Sequence, residues 1–131
     1  MLEVVRQVWI APRTTAINDS RLRKTGQAVR NELGGRYLLR YLLPHQVGVH
    51  IEGTQESQWV TPTPYAPEET VSWLALPAPT QPRTLVLLLK PEMIDEIWGP
   101  RWVRLGQGIE YYLPQGFGRN ALAFPWEIQV R

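Results

Sequence analysis

The stretch that decides the fold class is Trp102–Leu113, which reads Trp-Val-Arg-Leu-Gly-Gln-Gly-Ile-Glu-Tyr-Tyr-Leu. Its first four residues favour an extended backbone, and Gly106 and Gly108 bracket a tight turn. Ile109–Leu113 is rich in β-branched and aromatic residues, which favour strands. We therefore predict an extended segment, a turn and a strand in close succession, an order that is typical of antiparallel sheets.

Short runs of the same character recur outward from this stretch. We predict strands at residues 4–10, 36–43, 47–51, 58–61, 84–89, 109–113 and 122–130, with a further edge strand at 71–76. The repeated Arg-Tyr-Leu-Leu of residues 36–43 also suits a helix, and its position between Gly35 and Pro44 favours the strand. Residues 47–51 alternate apolar and polar side chains, which is typical of a half-buried strand. The sum is about six to eight strands in a mainly antiparallel sheet, and the predicted fold class is α+β.

Two helices are predicted beside these strands. The main one covers residues 20–33, where Leu22, Gly26, Val29 and Leu33 form one helical stripe. Residues 18–20 offer N-cap side chains, and Gly34 and Gly35 follow as a C-terminal stop. The short one covers residues 91–98, with Pro91 in the first helical position and Gly99-Pro100 after its end.

Length and composition predict one compact domain over residues 1–131. Residues 62–82 carry half of the 12 prolines. Such a density excludes a regular helix there, and the apolar side chains between the prolines favour an ordered loop packed on the domain.

Cysteine is absent from the 131 residues, which excludes disulfides, zinc–thiolate sites and thiol nucleophiles. No metal site is predicted, and no cofactor. The net charge of +2 is too small to indicate nucleic acid by itself. The N-terminus has no signal-peptide pattern and no apolar run approaches the ~20 residues of a membrane span, so we expect a soluble, cytoplasmic protein without a membrane partner.

The basic residues are mostly arginine, and six tryptophans are present in a short chain. Trp and Arg are enriched at the energetically important positions of protein interfaces. The predicted function is a small non-catalytic binding or accessory module for a protein partner. Its predicted contact residues fall in two clusters: Arg36, Tyr37, Arg40 and Tyr41, and Trp98, Arg101, Trp102 and Arg104.

Other functions stay open at this point. The same interleaving of arginine and aromatic residues suits single-stranded nucleic acid, through phosphate contacts and base stacking. His50 and Glu52 share one face of a predicted strand, so they are candidates for an imidazole base oriented by a carboxylate. An exposed polar face of a half-buried strand explains the same pair without catalysis.

One family resemblance covers residues 43–114. It is carried by Gln58–Pro62, Leu74–Pro77, Leu89–Pro91, Gly99-Pro100 and Gly106–Pro114. In this order of motifs the chain resembles the tuberculosis-necrotizing-toxin-like NAD glycohydrolases, which are relatives of the ADP-ribosyltransferases. The resemblance implies an NAD-cleaving enzyme with NAD as substrate and Glu110 as catalytic carboxylate. A fixed carboxylate can stabilise the oxocarbenium character that develops when the nicotinamide–ribose bond breaks.

Overall fold

The computed structural model describes residues 8–42, 53–64, 85–104, 106, 108–123 and 128–129. These residues form one α-helix, α1 (Gly26–Glu32), and strands that pair antiparallel. The strands are β1 (Arg23–Thr25), β2 (Leu38–Leu42), β3 (Gly53–Thr54), β4 (Gln58–Val60), β5 (Leu85–Leu89), β6 (Glu96–Trp102), β7 (Ile109–Leu113), β8 (Phe117–Gly118) and β9 (Ile128–Gln129). The predicted α+β class with antiparallel sheets is confirmed.

The strands form three sheets. A four-stranded sheet has the order β1-β6-β7-β4, a three-stranded sheet has the order β2-β5-β9, and β3 pairs with β8. Leu39 of β2 and Thr61, just after β4, exchange two backbone hydrogen bonds of 2.8 and 3.0 Å. This bridge connects the edge of the four-stranded sheet to the three-stranded sheet.

One apolar core lies between these elements and is covered at one side by α1. Its buried members come from the helix and its C-terminal end, from both large sheets, from the turn before β6, and from β8 and the segment after it: Val29, Leu33, Leu38, Leu42, Val60, Leu87, Leu89, Ile94, Ile97, Ile109, Tyr111, Leu113, Phe117, Ala121 and Leu122. Because side chains alternate along a strand, Ile97 and Tyr111 face this core while Trp98 and Tyr112 lie on the opposite face of the sheet.

The main helix is shorter than predicted, and the prediction over residues 20–33 is wrong at its N-terminal end. Ser20–Leu22 is a 3₁₀ turn, and Arg23–Thr25 forms β1, which pairs with β6. Backbone pairing with β6 replaces the helical hydrogen bonds there. The helix instead begins at Gly26, where the Thr25 hydroxyl accepts a hydrogen bond from the Ala28 amide at 3.1 Å. Gly34 and Gly35 follow its end with φ of 63° and 80°.

The predicted short helix over residues 91–98 is wrong. Pro91–Met93 forms a single 3₁₀ turn, and the chain then enters β6 at Glu96. So short a helix gains little on its own. As a central strand, β6 satisfies its backbone groups on two edges, against β1 and β7, and buries Ile97 completely.

The other predicted elements have mixed outcomes. Residues 8–10 of the predicted strand 4–10 belong to no strand, and in the described part of 122–130 only Ile128–Gln129 forms one. Strands are present within residues 36–43, 58–61, 84–89 and 109–113 as predicted. Of the proline-rich stretch at 62–82 only residues 62–64 are described, and the predicted strand at 47–51 lies outside the described residues. In the described part of the chain, no helix has the length and apolar character needed to cross a membrane.

Candidate binding surface on the four-stranded sheet

Three aromatic side chains form a row across the four-stranded sheet, on the face opposite the core. The strand register pairs Trp98 of β6 with Tyr112 of β7, and Tyr112 with Trp59 of β4. The ring centroids of Trp98 and Tyr112 are 5.8 Å apart, and those of Tyr112 and Trp59 are 4.5 Å apart. Trp98, Tyr112 and Trp59 are named the aromatic ladder below.

An arginine extends the row onto the edge strand. Arg23 of β1 is the register partner of Trp98, and its guanidinium carbon lies 5.2 Å from the centroid of the Trp98 ring. This distance is that of a cation–π contact. On its other side the Trp98 indole N–H donates a hydrogen bond to the Glu96 carboxylate. The Trp98 indole is therefore held by Arg23 at the face of its ring and by Glu96 at its N–H edge.

A bulge in β6 brings a second arginine to the same face. The register shifts between Trp98 and Arg101, so Trp98 pairs with Tyr112 and Arg101 pairs with Glu110. Because Glu110 and Tyr112 are two residues apart on β7, they share a face, and Arg101 shares it with them. Gly99 in the bulge has φ of 139°, and a Cβ there would lie 2.9 Å from Tyr111 Cδ1. Arg101 is three residues after Trp98, so in a strand with regular alternation it would face the core.

Arg101 and Glu110 form an ion pair beneath the aromatic ladder. Nε and Nη2 of Arg101 donate to Oε2 of Glu110 at 3.0 and 2.7 Å, and Nη1 donates to the Thr15 carbonyl at 2.8 Å. The side chains are only 12% and 10% exposed. The Arg101 guanidinium carbon also lies 5.4 Å from the centroid of the Trp59 ring. The pair thus supports Trp59 and ties the segment around Thr15 to the sheet.

Burial raises the pKa of the Glu110 carboxyl above its ordinary value, while the hydrogen bonds and charge of Arg101 act in the opposite direction. Burial removes water that would solvate the carboxylate, and only one of its oxygens accepts from Arg101. The Glu110 carboxyl is therefore mostly buried, and its oxygen Oε2 already accepts hydrogen bonds from Arg101.

The aromatic ladder is accessible. Trp59 is 39% exposed, and Trp98 and Tyr112 are half-buried. Arg23 is exposed and forms neither an ion pair nor a side-chain hydrogen bond with the described residues. The surface therefore combines aromatic rings fixed by neighbours with one guanidinium whose N–H donors are unused within the described part of the chain.

The second predicted cluster is divided by the fold. Trp98 and Arg101 belong to the surface just described. Trp102 is half-buried against the core, with the Arg13 guanidinium 5.7 Å from its ring centroid. Arg104 is exposed beyond the end of β6. Two of the four residues are thus brought together.

The first predicted cluster lies on other elements. Tyr37 is 41% exposed, and it lines a groove of about 430 Å³ with Arg36, Leu39 and two prolines. Arg40 on β2 donates to Gln58 Oε1 at 2.7 Å and to the Tyr41 carbonyl at 3.0 Å. Tyr41 is 2% exposed and belongs to the core. Arg36 and Tyr37 therefore share a groove, whereas Arg40 is hydrogen-bonded to Gln58 and Tyr41 lies in the core.

His50 and Glu52 lie outside the described residues, so their predicted catalytic role stays a prediction. Among the described residues no group of three acidic or histidine side chains is placed to hold a metal ion.

Sequence reasoning missed Trp59, Tyr112 and Arg23 as members of the surface. The tryptophan excess included Trp59, but no local pattern joins residues 23, 59, 98 and 112. They meet because four strands distant in sequence are placed side by side. The alternation Glu110-Tyr111-Tyr112 was a usable signal, because it places Tyr112 on the face of Glu110.

Comparisons with models of known protein families, with curated proteins and with solved structures find no match to this chain.

Proposed function

We propose that the chain is a non-catalytic binding module that holds a protein partner on the aromatic ladder. The observation that carries this proposal is the exposed row of Trp98, Tyr112 and Trp59 with Arg23 at its end. Trp, Tyr and Arg are the residues that dominate binding energy at protein interfaces. The contacts of Arg23, Glu96 and Arg101 fix the indole rings before a partner arrives, which lowers the entropy lost on binding.

The charges of the surface favour a protein over single-stranded nucleic acid. Two carboxylates, Glu96 and Glu110, lie on the same face as the aromatic ladder. Arg23 and Arg101 on this face are matched in number by these two carboxylates, and nucleic-acid surfaces depend on an excess of positive charge. A protein partner tolerates such mixed charge.

The NAD-cleaving alternative depends on Glu110. A carboxylate that stabilises an oxocarbenium ion has to face the substrate, but the Glu110 side chain is 10% exposed and its Oε2 accepts two hydrogen bonds from Arg101. This arrangement favours a supporting role for Glu110. Incubation with NAD and an assay for nicotinamide release tests the alternative directly, and release that depends on Glu110 would replace the proposed function.

Selection from a phage-displayed library of random dodecapeptides tests the proposed function. We expect wild-type protein to enrich peptides whose affinity falls about tenfold or more in Trp59→Ala, because truncation of an aromatic residue that carries binding energy typically costs ~2 kcal/mol. Circular dichroism and thermal unfolding confirm that each variant is folded before its affinity is compared.

Trp9→Ala is the matched control. Trp9 is 50% exposed and has the Arg21 guanidinium 5.1 Å from its ring centroid, so it repeats a Trp–Arg pair outside the aromatic ladder. Equal losses in Trp9→Ala and Trp59→Ala, or no enriched peptide at all, would contradict the proposed function. Binding of oligo(dT) that requires Trp59 and weakens steeply with salt would favour nucleic acid instead.

A further inference from the structure

The guanidinium of Arg23 differs from that of Arg101 on the same face and from that of Arg21, which stacks on Trp9 outside the aromatic ladder. Arg101 uses its donors on Glu110 and the Thr15 carbonyl, and Arg21 uses its donors on Asp19 at 2.8 and 3.0 Å. Arg23 is stacked on Trp98, yet no described residue accepts a hydrogen bond from it. Within the described part of the chain, Arg23 is therefore an oriented guanidinium whose N–H donors have no acceptor, and a carboxylate matches a guanidinium in geometry and charge.

The shape of the aromatic ladder supplies the second part of the argument. The Trp98 and Tyr112 rings are tilted by 50° to each other, and the Tyr112 and Trp59 rings by 45°. A flat ligand cannot stack on two neighbouring rings that are tilted to each other, so this surface suits an aliphatic side chain or a proline ring better than a planar ligand. The rings of Trp98 and Trp59 already have arginine neighbours, which disfavours a cationic ligand there.

The length of the row determines how many peptide residues separate the group that contacts Arg23 from the group that contacts Trp59. From β1 to β4 the row crosses three strand intervals of about 4.8 Å each, or about 14 Å. An extended or polyproline chain advances about 3.1–3.4 Å per residue, so about four to five residues cover this distance.

We propose that the aromatic ladder binds an extended peptide segment that places one carboxylate on Arg23 and, within the next four residues or so, apolar side chains on Tyr112 and Trp59. This inference rests on the proposed function and names its ligand class. The negative charge belongs at the β1 end because Arg23 donates to no acceptor among the described residues, whereas the Arg101 guanidinium near Trp59 already donates to Glu110 and to the Thr15 carbonyl.

A charge-exchange experiment on the selected peptides tests the inference. Among peptides that require Trp59, we expect an Asp or Glu about three to five positions from an apolar residue. Replacement of that acid by Lys is expected to lower affinity for the wild-type protein about tenfold or more, within the range for loss of one charge-assisted contact. In Arg23→Glu we expect the two affinities to change places, so that the Lys peptide binds more tightly than the acidic peptide.

Arg30→Glu is the control for net charge. Arg30 lies on α1 near Glu92, away from the aromatic ladder, and its substitution changes the net charge by the same amount. In Arg30→Glu we expect the acidic peptide still to bind more tightly than the Lys peptide. If the Lys peptide binds more tightly in this variant too, the inference is overturned, because the charge of Arg23 would then act at long range and not by contact.

The two proposals fail in different ways. Peptides that require Trp59 but show no acid preference overturn this inference and leave the proposed function standing. The absence of any peptide that requires Trp59 overturns both. Tighter binding of oligo(dT) than of the acidic peptides, abolished by Arg23→Glu, also overturns the inference and assigns the Arg23 fork to phosphate.

Discussion

Tyr111 and Tyr112 are neighbours on β7, and they serve opposite faces of the same sheet. Tyr111 is 1% exposed, and its hydroxyl donates to the Glu32 carboxylate, which also accepts from Lys24 at 2.7 Å. Tyr112 is half-buried between the rings of Trp98 and Trp59. On the covered face the polar groups of Tyr111 and Lys24 are hydrogen-bonded to Glu32. On the open face the aromatic rings and the Arg23 guanidinium remain accessible to solvent. The two tyrosines differ in burial although they are the same residue type.

The largest expected effect is at the helix that covers the closed face. In Gly26→Ala, the added Cβ would lie 1.9 Å from the Pro91 carbonyl oxygen and 2.1 Å from that of Ile94. Backbone has to move, so we expect a loss of about 3 kcal/mol or more in the free energy of unfolding, measured with urea. Gly35→Ala is the control, because its Cβ meets nothing within 4 Å and only the φ of 80° is unfavourable. A smaller loss in Gly26→Ala than in Gly35→Ala would contradict the close approach of helix and turn.

Ile97 and Trp98, which are consecutive in β6, test how much each face of the sheet contributes to stability. Ile97→Ala removes a fully buried side chain, and we expect a loss of about 2–4 kcal/mol in the free energy of unfolding. Trp98→Ala removes a larger but half-buried side chain, and we expect only about 1 kcal/mol. Urea unfolding of both variants measures the difference. Equal losses would mean that the open face is part of the core.

Alkaline unfolding tests the environment of Tyr111. Burial, with the nearby charge and hydrogen bond of Glu32, raises the pKa of the Tyr111 phenol far above its ordinary value of 10. Above about pH 10 the unfolded chain releases this proton while the folded chain keeps it, so stability falls as the pH rises, by about 1.4 kcal/mol per pH unit.

Tyr111→Phe is expected to remove this contribution to the slope, at a cost of about 1 kcal/mol at neutral pH for the lost hydrogen bond. Glu32→Gln keeps Tyr111 buried and is expected to retain most of the slope, because burial is the largest cause. An unchanged slope in Tyr111→Phe would place the phenol in water.

The smallest effect is at an exposed ion pair, which contrasts with the covered pair of Arg101 and Glu110. Hydrogen bonds from Arg21 lower the pKa of the Asp19 carboxyl to about 2. Its stabilising contribution is present above the ordinary pKa of 3.8 and is lost as the pH falls from about 4 through about 2. Because the pair is exposed, the change in stability is small, and a carboxyl titration by NMR is the better measurement.

In Arg21→Gln the pKa of Asp19 is expected to return toward 3.8, because both the charge and most of the hydrogen bonding are lost. No change in that pKa would show that Arg21 does not contact Asp19 in solution.

Local patterns in the sequence were sufficient for several strands and for the fold class. Ile109–Leu113 was predicted with its exact bounds, since β-branched and aromatic residues follow a glycine-bounded turn. The C-terminal end of the helix was also predictable, because Gly34 and Gly35 accept the positive φ that ends it. These features depend on neighbours in sequence, which a local pattern records.

Only the tertiary structure decided where helix gives way to strand and which residues share a surface. Residues 23–25 and 96–98 were predicted as helix, but pairing of β1 with β6 satisfies their backbone groups better. The bulge in β6 then sets Arg101 on the open face, and the strand order joins Arg23, Trp98, Tyr112 and Trp59 into one row. The sequence determined the aromatic and arginine content of this protein, whereas the register between distant strands decided which of those side chains water can reach.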